Sequence, residues 1–534
     1  MKNYSKGESV GGGFISGVFI LSLSTLIVKI IGLAFKIPML SILGMEGMGY
    51  FNSAYEIYAV LCVVSTAGLP VALSILISSA RAIDDRAGIA RTYRAAARIF
   101  LILGTFGMAI MLLFAKQLSR SIGNDDAYYC ICAIAPALLF ICLASAIRGY
   151  CQGFEDMKPT AISQLIESLS KLILGISFAL IGVKKGFSVP VISALAVLGI
   201  TIGTALSFAY LLVARRKHMI NVLNDLSDKR TGYYKRLLTI ALPITLGSAV
   251  ISLTRIIDMA LMMRRLQEIG VSQIEATEIY GAYTTLAMPV FGLLPSLITP
   301  ISMALIPELT IFIKKKNIAG QTDAVEKALR LTSLFSMPAA LAVTVFSKQI
   351  LSVLFQGQNE AIEIAAPMLS LLGGSIFFSC MITTTNAILQ AYGCIKLPII
   401  SMSVGVLVKA FTTYFLLGSH GVAEYGAPIG SLACNITIVL LNFALMLRYA
   451  KNTENAMSVS RSFLKPFISS VISIGMAYIV YTWLSSRFTS ELVSFASAAL
   501  CAIVIYCLLV ILLGAFDRDD IKRIPIIKNI IKEK

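Results

Sequence analysis

Charge is scarce in this 534-residue chain: 14% of it is Asp, Glu, Lys or Arg, where a soluble protein carries about 25%. Histidine is nearly missing. Only His218 and His420 occur, both in expected loops, which excludes a histidine metal centre or proton relay. The ten cysteines include no CxxC pair; Cys130-Ile131-Cys132 is the nearest approach, and most lie inside apolar runs. They read as reduced packing residues, with neither a disulfide framework nor a zinc site. Outer loops are short as well, none exceeding about sixteen residues, so an extracytoplasmic catalytic domain has no room. Neither an enzymatic activity nor a cofactor nor a bound metal is expected.

Apolar sequence fills the space instead. At 57% hydrophobic and a mean hydropathy of +0.84, the chain has apolar residues for about fourteen spans of roughly 20 residues each. That excludes a secreted, disordered or DNA-binding chain. The formal charge of +17 reads as a topology signal, with no nucleic-acid partner implied. The apolar run from Phe14 to Pro38 follows Lys2 and Lys6 and could imitate a signal peptide. It is too long for an h-region and lacks a cleavage site, so it counts as the first span.

Spans are expected near 14–38, 48–80, 95–115, 128–148, 159–182, 189–213, 237–263, 279–308, 329–355, 364–389, 397–418, 427–447, 463–484 and 492–515. With that count, 32 Lys/Arg fall on the side of the termini and 8 on the other. The bias puts both termini in the cytoplasm.

An internal repeat runs through the first twelve spans. Pro70 and Pro300 lie 230 residues apart, and Ala135-Pro136 and Ala366-Pro367 lie 231 apart. The stretches Gly149–Gly153 and Gln390–Gly393 each lead into a proline-opened span, at Pro159 and Pro398. The expected fold is therefore all-α and polytopic, with two pseudo-symmetric six-helix lobes and two appended helices. The lobes are 1–213 and 237–447, joined by a basic cytoplasmic linker at 214–236. Helices 13 and 14 follow at 463–515, then a cytoplasmic tail at 516–534. Six helices per copy makes the repeats parallel, related about the membrane normal. In the tail, Ile521, Ile524, Ile527, Ile530 and Ile531 recur at roughly helical spacing among Lys522, Arg523, Lys528 and Lys532. That pattern suits anionic membrane lipids.

Ionisable groups inside a membrane are costly and point to function. The cations here are Lys29, Lys36, Lys171, Arg255 and Lys409; the acids are Glu56, Glu167, Asp258 and Glu308. Local pairing accounts for some of them. Glu167 and Lys171 are spaced i,i+4, and Arg255 and Asp258 i,i+3. Lys36 can snorkel outward, and Glu308 reads as interfacial. The repeat adds something pairing does not explain. Lys29 and Arg255 are 226 apart and Lys171 and Lys409 are 238 apart, so each lobe has a cation on its first and fifth helices. Facing lobes would then present a central cationic cleft of Lys29, Lys36, Arg255, Lys409 and Lys171 to a large anion. Glu56, Asp258 and Glu167 are the candidate charge partners, with Lys171 the weakest member. Pro70, Pro289, Pro295 and Pro300 mark candidate gating helices; Pro307 joins them in interrupting span 8.

Several stretches resemble a known family. Lys29-Ile30-Ile31-Gly32, Lys36-Ile37-Pro38, Gly44-Met45-Glu46-Gly47-Met48-Gly49, Ala54-Tyr55 and Ala67-Gly68-Leu69-Pro70 resemble the opening of the stage V sporulation protein B family. Arg148-Gly149-Tyr150-Cys151-Gln152-Gly153 followed by Pro159-Thr160-Ala161-Ile162-Ser163-Gln164 is similar to its most recognisable internal stretch. The family sits with the lipid II flippases in the multidrug/oligosaccharidyl-lipid/polysaccharide exporter superfamily. The resemblance implies a two-lobed helical fold working by alternating access. It also implies a cationic cavity for a diphosphate-sugar head, at which Lys29 and Lys36 fall, and a groove in the last two spans for a polyprenyl tail. The flippases carry a basic residue in span 8; here the nearest is Arg255, in span 7. The implied function is outward flipping of an undecaprenyl-diphosphate-linked, lipid II-like wall or polysaccharide precursor. The implied setting is a Gram-positive cell membrane, with a sporulation or vegetative role and a monomeric protein. Two other readings stand beside it, a polysaccharide polymerase or ligase and a multidrug cation antiporter. The first lacks positioned catalytic groups, and lysines in span 1 disfavour the second.

Overall fold

The computed structural model describes residues 12–218, 232–394, 396–419, 421–449, 460–487 and 491–514. The expected tail at 516–534 and the middle of the linker at 214–236 lie outside these residues. Among the described residues every regular element is helical. Seventeen α-helices follow one another: α1 Gly12–Thr66, α2 Gly68–Ala82, α3 Arg86–Leu113, α4 Ala115–Ser121, α5 Tyr128–Gly153 and α6 Lys158–Lys184. Next come α7 Val189–Ala214, α8 Gly232–Glu268, α9 Gln273–Ala282, α10 Met288–Lys314, α11 Ile318–Val345 and α12 Ser347–Leu354. The last are α13 Asn359–Ala391, α14 Lys396–Leu417, α15 Gly426–Tyr449, α16 Lys465–Ser485 and α17 Glu491–Leu512.

Among the described residues thirteen helical segments are long and apolar enough to cross a membrane. The first, Leu23–Ala82, has 60 residues, about 90 Å at 1.5 Å per residue against a hydrocarbon core of about 30 Å. It is not one rod. Gly44 breaks α1 with φ +69° and ψ −177°, a conformation that a Cβ would strain and glycine adopts freely. Two crossings on either side of Gly44 bring the number to about fourteen, and the chain is a polytopic membrane protein. Large apolar side chains such as Ile102, Leu407 and Leu512 are exposed, as a lipid-facing surface requires.

The repeat extends to backbone detail. Asp85 caps α3 by accepting from the Gly88 amide at 2.7 Å, and Asn317 caps α11 by accepting from the Gly320 amide at 3.0 Å. Just before each cap a non-glycine residue takes positive φ, Asp84 at 51° and Lys316 at 52°. Each long helix then ends at a phenylalanine, Phe114 or Phe346, and a short helix follows, α4 or α12. All of these pairs are 232 residues apart.

Two expectations need correction. Span 2 is not continuous: α1 stops at Thr66 and α2 restarts at Gly68. A Cβ on Gly68 would lie 2.1 Å from the Ala241 carbonyl oxygen, so a backbone approach by α8 fixes the break. Span 8, in contrast, is not interrupted by its prolines, since α10 is one helix from Met288 to Lys314. Pro289 sits in its first turn, where no N–H is needed. Farther along, the hydroxyls of Ser296 and Thr299 donate to the carbonyls of Leu293 and Pro295 within the helix. The irregularity lies just upstream, in a π-helical turn over Tyr283–Ala287.

The chain divides into two compact units, one running to Thr285 with Tyr414–Glu424, the other from Leu286 to Thr413 and from Tyr425 onward. In the N-terminal unit α5 is the most buried helix. Around it glycines admit close helix contacts: a Cβ on Gly199 would meet the Gly175 nitrogen at 2.5 Å, and one on Gly203 the Glu167 carbonyl at 2.9 Å. In the second unit Leu305, Leu309, Leu329, Met381 and Ile388 of α10, α11 and α13 form the core. There α16 and α17 pack on α11 through Phe346, Ile474, Ala477 and Ala498.

Candidate functional site

Within the N-terminal unit, α1, α5, α6 and α8 bring charged groups together in the membrane. Arg148 of α5 is the most fully engaged. Its Nε donates to Ser163 Oγ at 2.9 Å, and its Nη2 donates to Glu167 Oε2 at 3.0 Å and Ser207 Oγ at 3.1 Å. Glu167, which the spacing offers to Lys171, has its ion pair with Arg148. Lys171 points its ammonium at aromatic faces, 4.7 Å from the Phe35 ring centre, 5.1 Å from Tyr55 and 5.6 Å from Phe51. A cation over such faces gains about 0.5–2 kcal/mol.

Lys171 and Glu167 line a cavity of about 220 Å³ together with Lys29, Gly32, Phe35, Tyr55, Tyr58 and Ser168. Lys29 has no hydrogen-bond or ion-pair partner among the described residues. This wall of the cavity thus has two ammonium groups, and its one carboxylate is already bound to a guanidinium.

A second polar layer joins α1 to α8 and α9. The pairing of Arg255 with Asp258 is also corrected, because the Arg255 guanidinium stands 3.8 Å from Glu56 Oε2. Buried Asp258 accepts from the Tyr283 hydroxyl at 3.4 Å. Lys36, free by sequence to snorkel, donates to the Thr284 carbonyl at 2.5 Å. The π turn explains that bond. In its register the Thr284 carbonyl would accept from residue 289, which is Pro289 and has no N–H. Asn52 secures the same turn by donating to Thr284 Oγ1 and Thr285 Oγ1, each at 2.9 Å.

Of the sequence-derived residues, Lys29, Lys36, Lys171, Arg255, Glu56, Glu167 and Asp258 all lie in the N-terminal unit, whereas Lys409 lies buried in the second. Sequence reading missed Arg148, the last residue of the expected span 128–148; α5 continues to Gly153. It also missed Asn52 and the tyrosines. Asn52 stands four positions before Glu56, on the same face of the expected helix, which was a usable signal.

The second unit has two apolar cavities along α11, each of about 290 Å³. One is bordered by Leu341, Val345, Val471, Ile474 and Tyr478, the other by Met337, Ala340, Phe377, Phe378 and Phe467. Both lack charged side chains.

An all-helical, polytopic protein with this layout has the fold of a transporter of the multidrug-exporter type. Among solved structures it is similar to a lipid II flippase MurJ in an inward closed conformation, with TM-score 0.71 and 16% identity over 92% of this chain and 98% of that one. It is also similar to an inward-facing multidrug resistance MATE family transporter of the MOP superfamily, with TM-score 0.64 and 18% identity over 81% and 100%. The chain belongs to the polysaccharide biosynthesis protein family, whose model matches residues 14–313; a MatE model matches 243–415. Its relatives in Bacillus subtilis (strain 168) include stage V sporulation protein B, 26% identical over 97% of this chain and 99% of that protein. The lipid II flippase MurJ of the same organism is 23% identical over 92% and 94%.

Proposed function

We propose that this protein is a flippase that moves an undecaprenyl-diphosphate-linked glycan precursor outward across the cell membrane by alternating access. The observation that carries the reading is the charge balance of the N-terminal unit's membrane layer. Lys29, Lys36, Arg148, Lys171 and Arg255 face three carboxylates, Glu56, Glu167 and Asp258. An unmatched cation in a membrane is expensive, so the excess suits an anionic cargo. Lys29, Lys36, Lys171, Arg255 and, from the second unit, Lys409 supply its charge in this reading. The apolar cavities along α11 and α16 suit a polyprenyl tail. The names of the curated relatives favour a lipid II-like head, and an inside-negative potential would drive its anion outward by about 2.3 kcal/mol per charge per 100 mV.

The same reading takes 1–213 and 237–447 as the two transport lobes and the protein as a monomer without enzymatic activity. Liposomes containing the protein should expose labelled lipid II on the outer face faster than protein-free liposomes do. An unrelated neutral glycolipid should not be accelerated. Equal acceleration of both, or of neither, contradicts the proposal.

Both termini are cytoplasmic in this reading. Single cysteines in place of Lys185 and Asn224 should then label from opposite sides of the membrane. Labelling of both by an impermeant reagent added to intact cells overturns the topology.

A further inference from the structure

We propose that the N-terminal half of α3 and the first turn of α8 form a binding site for an anionic phospholipid of the adjoining leaflet. That leaflet is the inner one in the topology given above. The phosphate lies between Arg94, Arg98 and Lys235, and the acyl chains run along apolar side chains one turn deeper. The inference goes beyond the flippase reading: this lipid stays at the protein's edge, and none of the cations assigned to the cargo takes part.

Three observations carry it. First, α3 has no Asp or Glu along its length, and α8 has none before Asp258. Arg94, Arg98 and Lys235 make no ion pair among the described residues. The acids just before α3 are already used: Asp84 pairs with Arg86 at 3.4 Å, and Asp85 caps the helix. Arg94 and Arg98, four residues apart on one helix face, repel each other, and an anion between them reverses that. Second, Arg98 Nη1 donates to the Tyr234 hydroxyl at 3.2 Å, which sets the guanidinium against the start of α8. Tyr234 is a neutral acceptor and Arg98 is exposed. The remaining N–H groups are therefore free for a phosphate, which a guanidinium holds through two parallel bonds. Third, Leu101 and Ile102 follow Arg98 by one turn, and Leu238 and Leu242 follow Tyr234 by one and two turns. These four side chains are 43–66% exposed. A turn rises about 5.4 Å, so a phosphate at Arg98 has surface for acyl chains directly beneath it. A free phosphate leaves that surface unused.

Basic side chains at the ends of membrane helices are common, because they set orientation, and most act diffusely. The bond between α3 and α8 separates this group from that background. Tyr234 is a positioning residue: it holds Arg98 beside the turn that carries Lys235, so one phosphate meets cations from two helices. The bound lipid then ties α3 to the start of α8, both within the N-terminal unit.

The test is native mass spectrometry of the full-length protein in detergent, titrated with dioleoylphosphatidylglycerol and, separately, with dioleoylphosphatidylcholine. Saturable binding of the anionic lipid is expected, at least fivefold tighter than that of the zwitterionic one. Arg98→Gln should weaken it about fivefold, the equivalent of the ~1 kcal/mol that a basic residue gains at an anionic surface. Arg98→Gln/Lys235→Gln should weaken it further, and Tyr234→Phe less than Arg98→Gln. Arg98 and Lys235 are exposed, so these variants keep the packing of the helices. Lys315→Gln removes an exposed charge at the end of α10 and should bind like the unmodified protein. Equal affinity for the two lipids, unmodified affinity in the double variant, or an equal loss in Lys315→Gln overturns the site. Competition by water-soluble glycerophosphoglycerol at matching concentration also overturns it, since the site then takes the phosphate without its chains. If the anionic lipid fails to bind while lipid II still moves in liposomes, the site alone is wrong. If it binds as expected and no lipid II moves, the flippase reading is wrong and the site stands.

Discussion

Exchanging Arg148 for methionine is expected to destabilise the N-terminal unit by about 3–5 kcal/mol, the usual cost of removing one partner from a buried ion pair. The guanidinium contacts three side chains on two other helices: Ser163 and Glu167 of α6, and Ser207 of α7. The Arg148 side chain is 11% exposed and that of Glu167 is 27% exposed, so water replaces only part of the lost bonds and the effect falls toward the lower end of that range. Removal strands a carboxylate in a layer that α5, α6 and α7 are built around. The double variant Arg148→Met/Glu167→Gln removes the stranded charge and should recover a large share of the loss. Thermal unfolding in detergent reads both. If the single variant unfolds no earlier than the double, Arg148 is not the counter-ion of Glu167. Lys171, one turn along the same helix, would then have taken its place.

The second large effect is expected at Gly281. A Cβ there would lie 2.1 Å from the Met45 carbonyl oxygen, and one at Gly49 would lie 2.4 Å from the Thr277 carbonyl oxygen. Both obstacles are backbone atoms, so no rotamer change relieves them. The two glycines let α1 and α9 touch main chain to main chain, next to the Asn52–Thr284 bonds that fix the π turn. Gly281→Val should push α9 from α1, at a cost at or above the usual 1–3 kcal/mol of overpacking. A cysteine replacing Thr284 should then react faster with a soluble maleimide. Gly292→Ala in α10, where a Cβ meets nothing within 4 Å, serves as the control and should change neither reading. Unchanged stability and unchanged reactivity in Gly281→Val would contradict the close contact.

Much of the fold was legible because membrane helices announce themselves by length. Apolar runs placed nearly every span, and the repeat in Pro136 and Pro367 reappears as the paired caps Asp85 and Asn317. Those caps were readable too: Asp85 and Gly88 recur as Asn317 and Gly320 at the same spacing. Gly44 was harder, since a glycine in an apolar run does not disclose its φ. The site was legible in its composition and misread in its pairing. Spacings of three and four residues offered Glu167 to Lys171 and Asp258 to Arg255. Partners from other helices, Arg148 and Glu56, took the charges instead. Such partners are invisible to spacing because they depend on how helices pack. The prolines of span 8 were likewise read as breaks; α10 runs on through them, and Pro289 acts by withholding an N–H from the turn before it.

The central claim is that membrane cations serve an anionic cargo, and one measurement addresses it directly. It is the initial rate at which labelled lipid II appears on the outer face of liposomes containing Lys29→Ala, Arg255→Ala or Lys409→Ala protein, each compared with the unmodified protein at equal insertion. Losing a hydrogen bond between a charged side chain and phosphate costs about 1.5–3 kcal/mol, so each variant should slow transport about tenfold or more. Three variants that insert, fold and transport at the unmodified rate would contradict the account.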